Sequence, residues 1–221
     1  MRPRDAVAIT FDDGWQSVYD RALPLLDDHG FRSTQYVNPS SLETPDFMTA
    51  AEVRQMHDAG HEIGTHTQDH AQLSRLSREA AMRQITMGRD AVDSVLPGHP
   101  TPLWRAPYGS LTPAIVRDAS IAGLTHVSWT LDLRDYRPRP TLAQEILDRL
   151  APNDIVLLHD IQPGTVRQLP GLLRSIADRG YQMVTVSELS IPADCTHQQP
   201  PPPPEPPQPQ VLEMDPGQMF P

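Results

Sequence analysis

Residues 6–11 read Ala-Val-Ala-Ile-Thr-Phe, and Trp15, Val18, Tyr19, Ala22, Leu23 and Leu26 follow at helical spacing before Gly30 closes the segment. A continuous apolar run of strand length followed by such a helix predicts a buried parallel strand and its crossover, because a strand covered on both faces need not alternate polar with apolar. Pro24 inside the helix predicts a kink, since it lacks an N–H and crowds the preceding turn. Working outward, the alternation repeats. Residues 33–37 read as a second strand, and Thr49 with Glu52 forms a capping box ahead of Val53, Met56 and Ala59, ending at Gly60. Residues 62–65 are a short strand before a long helix from about Ser77 to Leu96; Leu103 and Trp104 are a brief strand before a helix capped by Thr112 with Pro113 in its first turn. Residues 125–131, 155–158 and 181–186 read as three more strands, separated by helices that capping boxes at Thr141/Gln144 and Thr165/Gln168 would start.

Seven strands with six helical segments between them require right-handed parallel crossovers, which makes the chain an α/β protein. Such a series closes most naturally into a distorted or incomplete (β/α) barrel of about seven parallel strands. A doubly wound open sheet is the alternative with the same element order.

The chain has 221 residues, enough for one sizeable core, and 38% of them are hydrophobic against 21% charged. No apolar run approaches the length of a membrane-spanning helix. Of 25 prolines, ten fall in residues 197–221, where the text becomes QQPPPPPEPPQPQ. That composition cannot bury enough apolar surface to offset its ordering entropy, so the expected organisation is a barrel over residues 1–195 and a disordered proline-rich tail over 196–221. All 18 basic residues are arginine, and 28 acidic residues give a net charge of −10. That balance argues against nucleic-acid or anionic-membrane partners, whose binding is driven by Lys and Arg displacing counterions. The single Cys195 excludes an internal disulfide and a cysteine-rich zinc site. Residues 1–10 lack the apolar core of a secretory signal.

The first strand ends in Thr10-Phe11-Asp12-Asp13-Gly14. Adjacent carboxylates repel, so they persist where a cation or shared proton resolves the conflict, or where both point freely to water in an ordinary Asp-Gly turn. The third strand runs into Gly64-Thr65-His66-Thr67-Gln68-Asp69-His70, and histidines four apart can grip one metal, although nine histidines make that spacing unremarkable alone. Position lifts both signals. In a barrel, catalytic groups sit at the C-terminal ends of the strands, and Asp12, Asp13, His66, His70, Arg105, Asp132 and His159 all fall there. One carboxylate and two imidazoles form an open zinc set; with Asp13, His66 and His70 as ligands, Asp12 is left as a neighbouring base.

These motifs resemble the polysaccharide deacetylases of carbohydrate esterase family four, the NodB-homology domain. Thr10 to Gly14 matches the family's first motif, His66 to His70 the second, Arg105-Ala106-Pro107-Tyr108-Gly109 the third, Asp132-Leu133-Arg134-Asp135-Tyr136 the fourth and Leu157-Leu158-His159 the fifth. The resemblance covers about residues 6–190. It implies a metal held by Asp13, His66 and His70, with Zn²⁺ first and Co²⁺, Ni²⁺ or Mn²⁺ as alternatives. It further implies that Asp12 is the general base, that Arg105 pairs with Asp12 and aims it, and that the backbone N–H of Tyr108 helps hold the oxyanion. His159 is the implied general acid, with Asp132 raising its pKa and orienting it. Trp129 and Leu157 are expected to line the pocket for the acetyl methyl, against the plainer reading of strand packing. Tyr136 stands where the family usually has tryptophan, which bears on pocket shape.

The resemblance therefore implies removal of the N-acetyl group from N-acetylglucosamine in a chitin-like oligomer or peptidoglycan, with acetate released. O-deacetylation of acetylated xylan, deformylation of a sugar amide, and a carbohydrate-binding barrel without turnover are the competing readings. The implied partner is a glycan and the expected state a monomer, with the family's habit favouring the cell envelope or outside. His29, His57, His61, His99, His126 and His197 have no partner at motif spacing and read as structural or exposed. Ser110 and Ser128 lie in no Gly-x-Ser-x-Gly elbow, which argues against a serine hydrolase. Deleting residues 197–221 is expected to leave turnover on a soluble acetylated oligosaccharide unchanged in a steady-state assay, whereas loss of folding on truncation would show that the tail packs on the barrel.

Overall fold

A computed structural model describes residues 5–159 and 163–189; Cys195 and the proline-rich tail lie outside the described residues. Strand β1 (Ala6–Asp13) is central, and its positions 7–12 are buried without a break, which is why its sequence shows no alternation. On one side come β2 (Ser33–Val37), β3 (Glu62–Thr65), β4 (Leu103–Trp104) and β5 (Thr125–His126); on the other lie β7 (Ile155–Leu158) and β6 (Leu131–Asp132). All pairings are parallel, and β8 (Gln182–Met183) pairs with Ala6 and Val7 at the start of β1.

The expected single strand over 125–131 is instead two, and the topology gives the reason. β5 and β6 sit at opposite ends of the strand order, yet only residues 127–130 join them. At 3.8 Å per residue that link spans at most about 19 Å. The sheet must therefore curl until its ends nearly meet, forming an incomplete barrel with Val127–Thr130 lying across the gap. The last predicted strand is likewise shorter, because Thr185 and Glu188 close a capping box that turns the chain after β8.

The helices are α1 (Leu23–Asp28), α2 (Ala50–Asp58), α3 (Arg78–Val95), α4 (Pro113–Ile121), α5 (Leu142–Arg149) and α6 (Pro163–Asp178). Pro24 does not kink a continuous helix. A π-helical turn over Val18–Ala22 ends with the Leu23 N–H donating to the Val18 carbonyl, and Pro24 falls in the first turn of α1, where an N–H is not needed. The Thr49/Glu52 box forms in full. The Thr141/Gln144 box does not: the Thr141 hydroxyl donates to Glu145 at 2.7 Å and the Gln144 amide to Asp148 at 2.6 Å. Thr165 lies inside α6, and Gln168 ties α6 to the start of α5, donating to the Arg139 carbonyl at 2.8 Å and accepting from the Ala143 N–H at 3.0 Å. His61 is a buried structural histidine whose Nδ1 accepts the Ser33 N–H at 3.2 Å.

Helix α3 presses directly onto the chain that follows β3. A Cβ at Gly88 would lie 2.6 Å from the backbone carbon of Thr67 and 2.6 Å from Thr65 Oγ1, so no other residue fits without moving that loop. Gly→Ala inside a helix normally stabilises by up to about 1 kcal/mol. Here the sign should reverse: Gly88→Ala is expected to destabilise the fold by about 1–3 kcal/mol in urea unfolding, and a neutral or stabilising result would contradict the close approach.

Candidate functional site

Strand alternation would send Asp12 and Asp13 to opposite faces. Asp13 instead has φ of 78°, in the left-handed region, which ends the alternation and turns both carboxylates toward one imidazole. Asp12 Oδ2 and Asp13 Oδ1 each lie 3.7 Å from His66 Nε2, and Asp13 Oδ1 lies 3.2 Å from His70 Nε2. Gly14, with φ of 84°, then completes the turn.

His66 and His70 share no helix. They are brought together by a loop in which Thr67 has φ of 68° and His70 φ of 61°, leaving the rings 4.9 Å apart. Helix α3 holds this loop: the Gln68 N–H donates to the Gln84 carbonyl at 2.9 Å, and the Gln84 side chain bonds Asp69 at its backbone and carboxylate. His66 Nδ1 lies 3.0 Å from the Arg105 carbonyl, which can only accept, so Nδ1 carries the proton. The Nε2 lone pair therefore faces two carboxylates. Burial, opposed by the charges of Asp12 and Asp13, pushes His66 down to about 4, so the ring stays neutral near physiological pH.

This arrangement fits a divalent cation. Among the described residues, Asp13, His66 and His70 are the one trio of His, Cys, Asp or Glu whose donor atoms all lie within 4.8 Å of one another. Asp13 Oδ1 is buried and accepts no hydrogen bond. Burial would raise Asp13, but the His70 contact and the charges of His66, His70 and His159 outweigh it and hold the carboxyl well below the usual range. A neutral nitrogen and an unpartnered carboxylate oxygen aimed at one point are what hard-to-borderline cations take as ligands.

Arg105 follows β4 and is fully buried. Its Nη1 donates to Asp12 Oδ1 at 2.7 Å and to Thr10 Oγ1 at 2.8 Å, while Nε and Nη2 donate to the carbonyls of Val127 and Ser128 at 3.2 and 3.0 Å. Its guanidinium carbon sits 4.0 Å over the Tyr36 ring and 5.7 Å from that of Trp129. One side chain thus aims Asp12 and fastens the link that crosses the barrel gap.

At the other side of the mouth the structure corrects the sequence. The aspartate bonded to His159 is not Asp132, whose Oδ1 accepts the Arg134 N–H at 2.6 Å and caps a turn in which Arg134 has φ of 55°. That turn brings back Asp135, which accepts from His159 Nδ1 and from the His159 backbone N–H, both at 2.8 Å. Burial opposes charge on His159, yet the Asp135 bond and charge, reinforced by Asp12 and Asp13, push it up to about 9. The Tyr136 ring meets His159 edge-on at 5.5 Å. Tyr108, left-handed with φ of 60° and 52% exposed, lies edge-on to His70 at 4.7 Å. Leu157 is buried in β7 opposite Thr10 and Asp132, whereas Trp129 is half-buried in the gap-spanning link. Asp135 was legible inside the Asp132 to Tyr136 motif, but spacing alone does not say which of its two aspartates turns inward.

The buried Asp12–Arg105 pair makes a clear stability test. Arg105→Ala strands Asp12 without a counter-charge and is expected to cost about 3–5 kcal/mol in chemical denaturation; a loss below about 1 kcal/mol would contradict the geometry.

The polysaccharide deacetylase family model matches residues 1–127. The peptidoglycan-N-acetylglucosamine deacetylase PgdA of Listeria monocytogenes is 32% identical over 187 residues, which cover 83% of this chain and 38% of that protein. A chitooligosaccharide deacetylase of Azorhizobium caulinodans is 34% identical over 161 residues, covering 71% of this chain and 74% of that one. Among solved structures, the peptidoglycan deacetylase PdaC from Bacillus subtilis superimposes with a TM-score of 0.74 at 26% identity, over 84% of this chain and 89% of that chain. The chain spans well under half the length of the Listeria relative. With the family model over more than half its residues and the barrel shared with these relatives, the chain belongs to the polysaccharide deacetylase family.

Proposed function

We propose that this chain removes the N-acetyl group from N-acetylglucosamine-type sugars in a glycan, releasing acetate and a free amine, with Zn²⁺ held by Asp13, His66 and His70. The observation that carries the reading is the neutral His66 Nε2 facing two carboxylates, beside the buried and unpartnered Asp13 Oδ1. The deacetylase relatives from Listeria and Azorhizobium, named for peptidoglycan and chitooligosaccharide, support the substrate class.

A divalent cation on that trio supplies Lewis acidity, which polarises a carbonyl and makes water acidic enough to lose a proton near neutral pH. The remaining steps belong to the chain's own residues. Asp12 accepts the proton from the attacking water through Oδ2, since Oδ1 is occupied by Arg105. The water oxygen bonds to the acetyl carbonyl carbon, and negative charge moves onto the carbonyl oxygen. The Tyr108 backbone N–H is assigned as the protein donor to that charge; Tyr108 has a left-handed backbone and its ring lies edge-on to His70. As the C–N bond breaks, the amine nitrogen takes a proton from His159, which Asp135 keeps protonated and oriented. Acetate and amine are the products. Asp12 ends the turnover protonated and His159 neutral, and proton exchange with solvent returns both to their starting forms before the next cycle. Leu157 and Trp129 are assigned to the acetyl pocket and Tyr136 to its wall beside His159.

The test is acetate release from N-acetylglucosamine oligomers, with acetylated xylan and a formylated sugar amide as comparison substrates. Release from the oligomers, its loss to a chelator and its return with Zn²⁺ are the expected results; turnover on xylan alone, or indifference to the chelator, would contradict the proposal. The pH profile adds a signed test. His159 acts in its protonated form, so the rate is expected to fall as pH rises past about 9. Asp135→Asn removes the acceptor charge, lowers the His159 pKa and should move that alkaline limb downward by about one unit or more. An unmoved limb would overturn the His159–Asp135 assignment.

A further inference from the structure

Trp15 stands one glycine beyond the paired aspartates, and its indole Nε1–H donates to Asp13 Oδ2 at 3.0 Å. The ring is fixed from its other side. It stacks on Phe47 with centroids 4.3 Å and planes 25° apart, and the two residues form an antiparallel bridge. The flanking Gln16 N–H donates to the Asp46 carbonyl at 2.8 Å, and the Met48 N–H donates to the Gly14 carbonyl at 3.0 Å. The donor is therefore anchored in a turn-like clamp over 44–48, not on a freely rotating surface side chain.

The two oxygens of Asp13 consequently have opposite surroundings. Oδ2 accepts the indole N–H; Oδ1 is buried, accepts nothing, and lies 3.2 and 3.7 Å from the Nε2 atoms of His70 and His66. The terminal torsion of an aspartate is broad and nearly two-fold, so without a partner the carboxylate has no fixed orientation. Asp13 adds to this the strain of a left-handed backbone at a non-glycine residue.

We propose that Trp15 is a positioning residue for the cation: its N–H locks the Asp13 carboxylate so that Oδ1 faces the two imidazoles. The inference rests on the metal reading given under Proposed function. Partners of this kind, which hold a ligand without touching the ion, typically change metal affinity 10–100-fold.

The test compares the full chain with Trp15→Phe, which keeps an aromatic ring on Phe47 and removes the donor. Zn²⁺ affinity is measured by competition with a colorimetric chelator. The expected result is at least a tenfold weaker affinity in the variant with its unfolding transition retained. Phe47→Leu, which loosens the stack but keeps the N–H, should lose less. The wild-type chain supplies an independent measurement: the Trp15 indole ¹⁵N–¹H resonance should shift on Zn²⁺ titration, and this decides the matter even where the phenylalanine variant does not fold. A folded Trp15→Phe that binds Zn²⁺ as tightly as wild type, or an indole resonance unmoved at saturation, would overturn the role of Trp15 alone. A wild-type chain that takes up no Zn²⁺ would overturn the metal reading and this inference with it.

Discussion

A guanidinium sealed inside a barrel is tolerable only where its charge and its donors are all answered, and Arg105 meets that condition through Asp12, Thr10, Val127 and Ser128. Two of those partners sit at the end of β1 and two on the link that spans the open side of the sheet. The interaction therefore does architectural and chemical work at once: it draws the link against the central strand, and it occupies one oxygen of Asp12 while leaving the other toward His66. Tyr36 beneath the guanidinium keeps the pair in a dry setting, where electrostatic contacts are strong and an unmatched charge is costly.

Around this pair the backbone is repeatedly forced out of regular geometry. Asp13, Thr67, His70, Tyr108 and Arg134 all adopt positive φ without being glycine. Four of these departures have a direct consequence at the mouth of the barrel: two neighbouring aspartates meet one imidazole through Asp13, two histidines converge without a helix through Thr67 and His70, and Asp135 is returned to His159 through Arg134. Strain of this kind survives only where surrounding contacts over-determine it. Here those contacts include the press of Gly88 against Thr67, the Gln84 bonds to the histidine loop and the indole bond to Asp13.

Much of this was legible in the sequence, for identifiable reasons. Strands β1 and β7 declare themselves because burial on both faces suppresses alternation, and α2 and α3 because Thr49 and Ser77 cap them. The 125–131 segment misled because a β-rich run carries no mark of the point where pairing partners change, and strand order is a long-range property. The Asp13, His66 and His70 set could be picked out since all three fall at strand ends. Asp135 could not be separated from Asp132, because the choice turns on the φ of Arg134. Trp15 fits a helical stripe with Val18 and Tyr19, and its position directly after the Asp-Asp-Gly turn is the one sign in the sequence of its hydrogen bond to Asp13.

The central claim is that the electrostatic conflict of adjacent carboxylates is resolved by a cation seated between Asp13 and the two imidazoles, with Asp12 kept outside its ligand set. Anomalous X-ray scattering from crystals grown with Zn²⁺, recorded on both sides of the zinc absorption edge, tests this most directly. A peak about 2.0–2.2 Å from Asp13 Oδ1, His66 Nε2 and His70 Nε2 is the predicted result. A peak ligated by Asp12, or none at this trio under saturating zinc, would contradict the account.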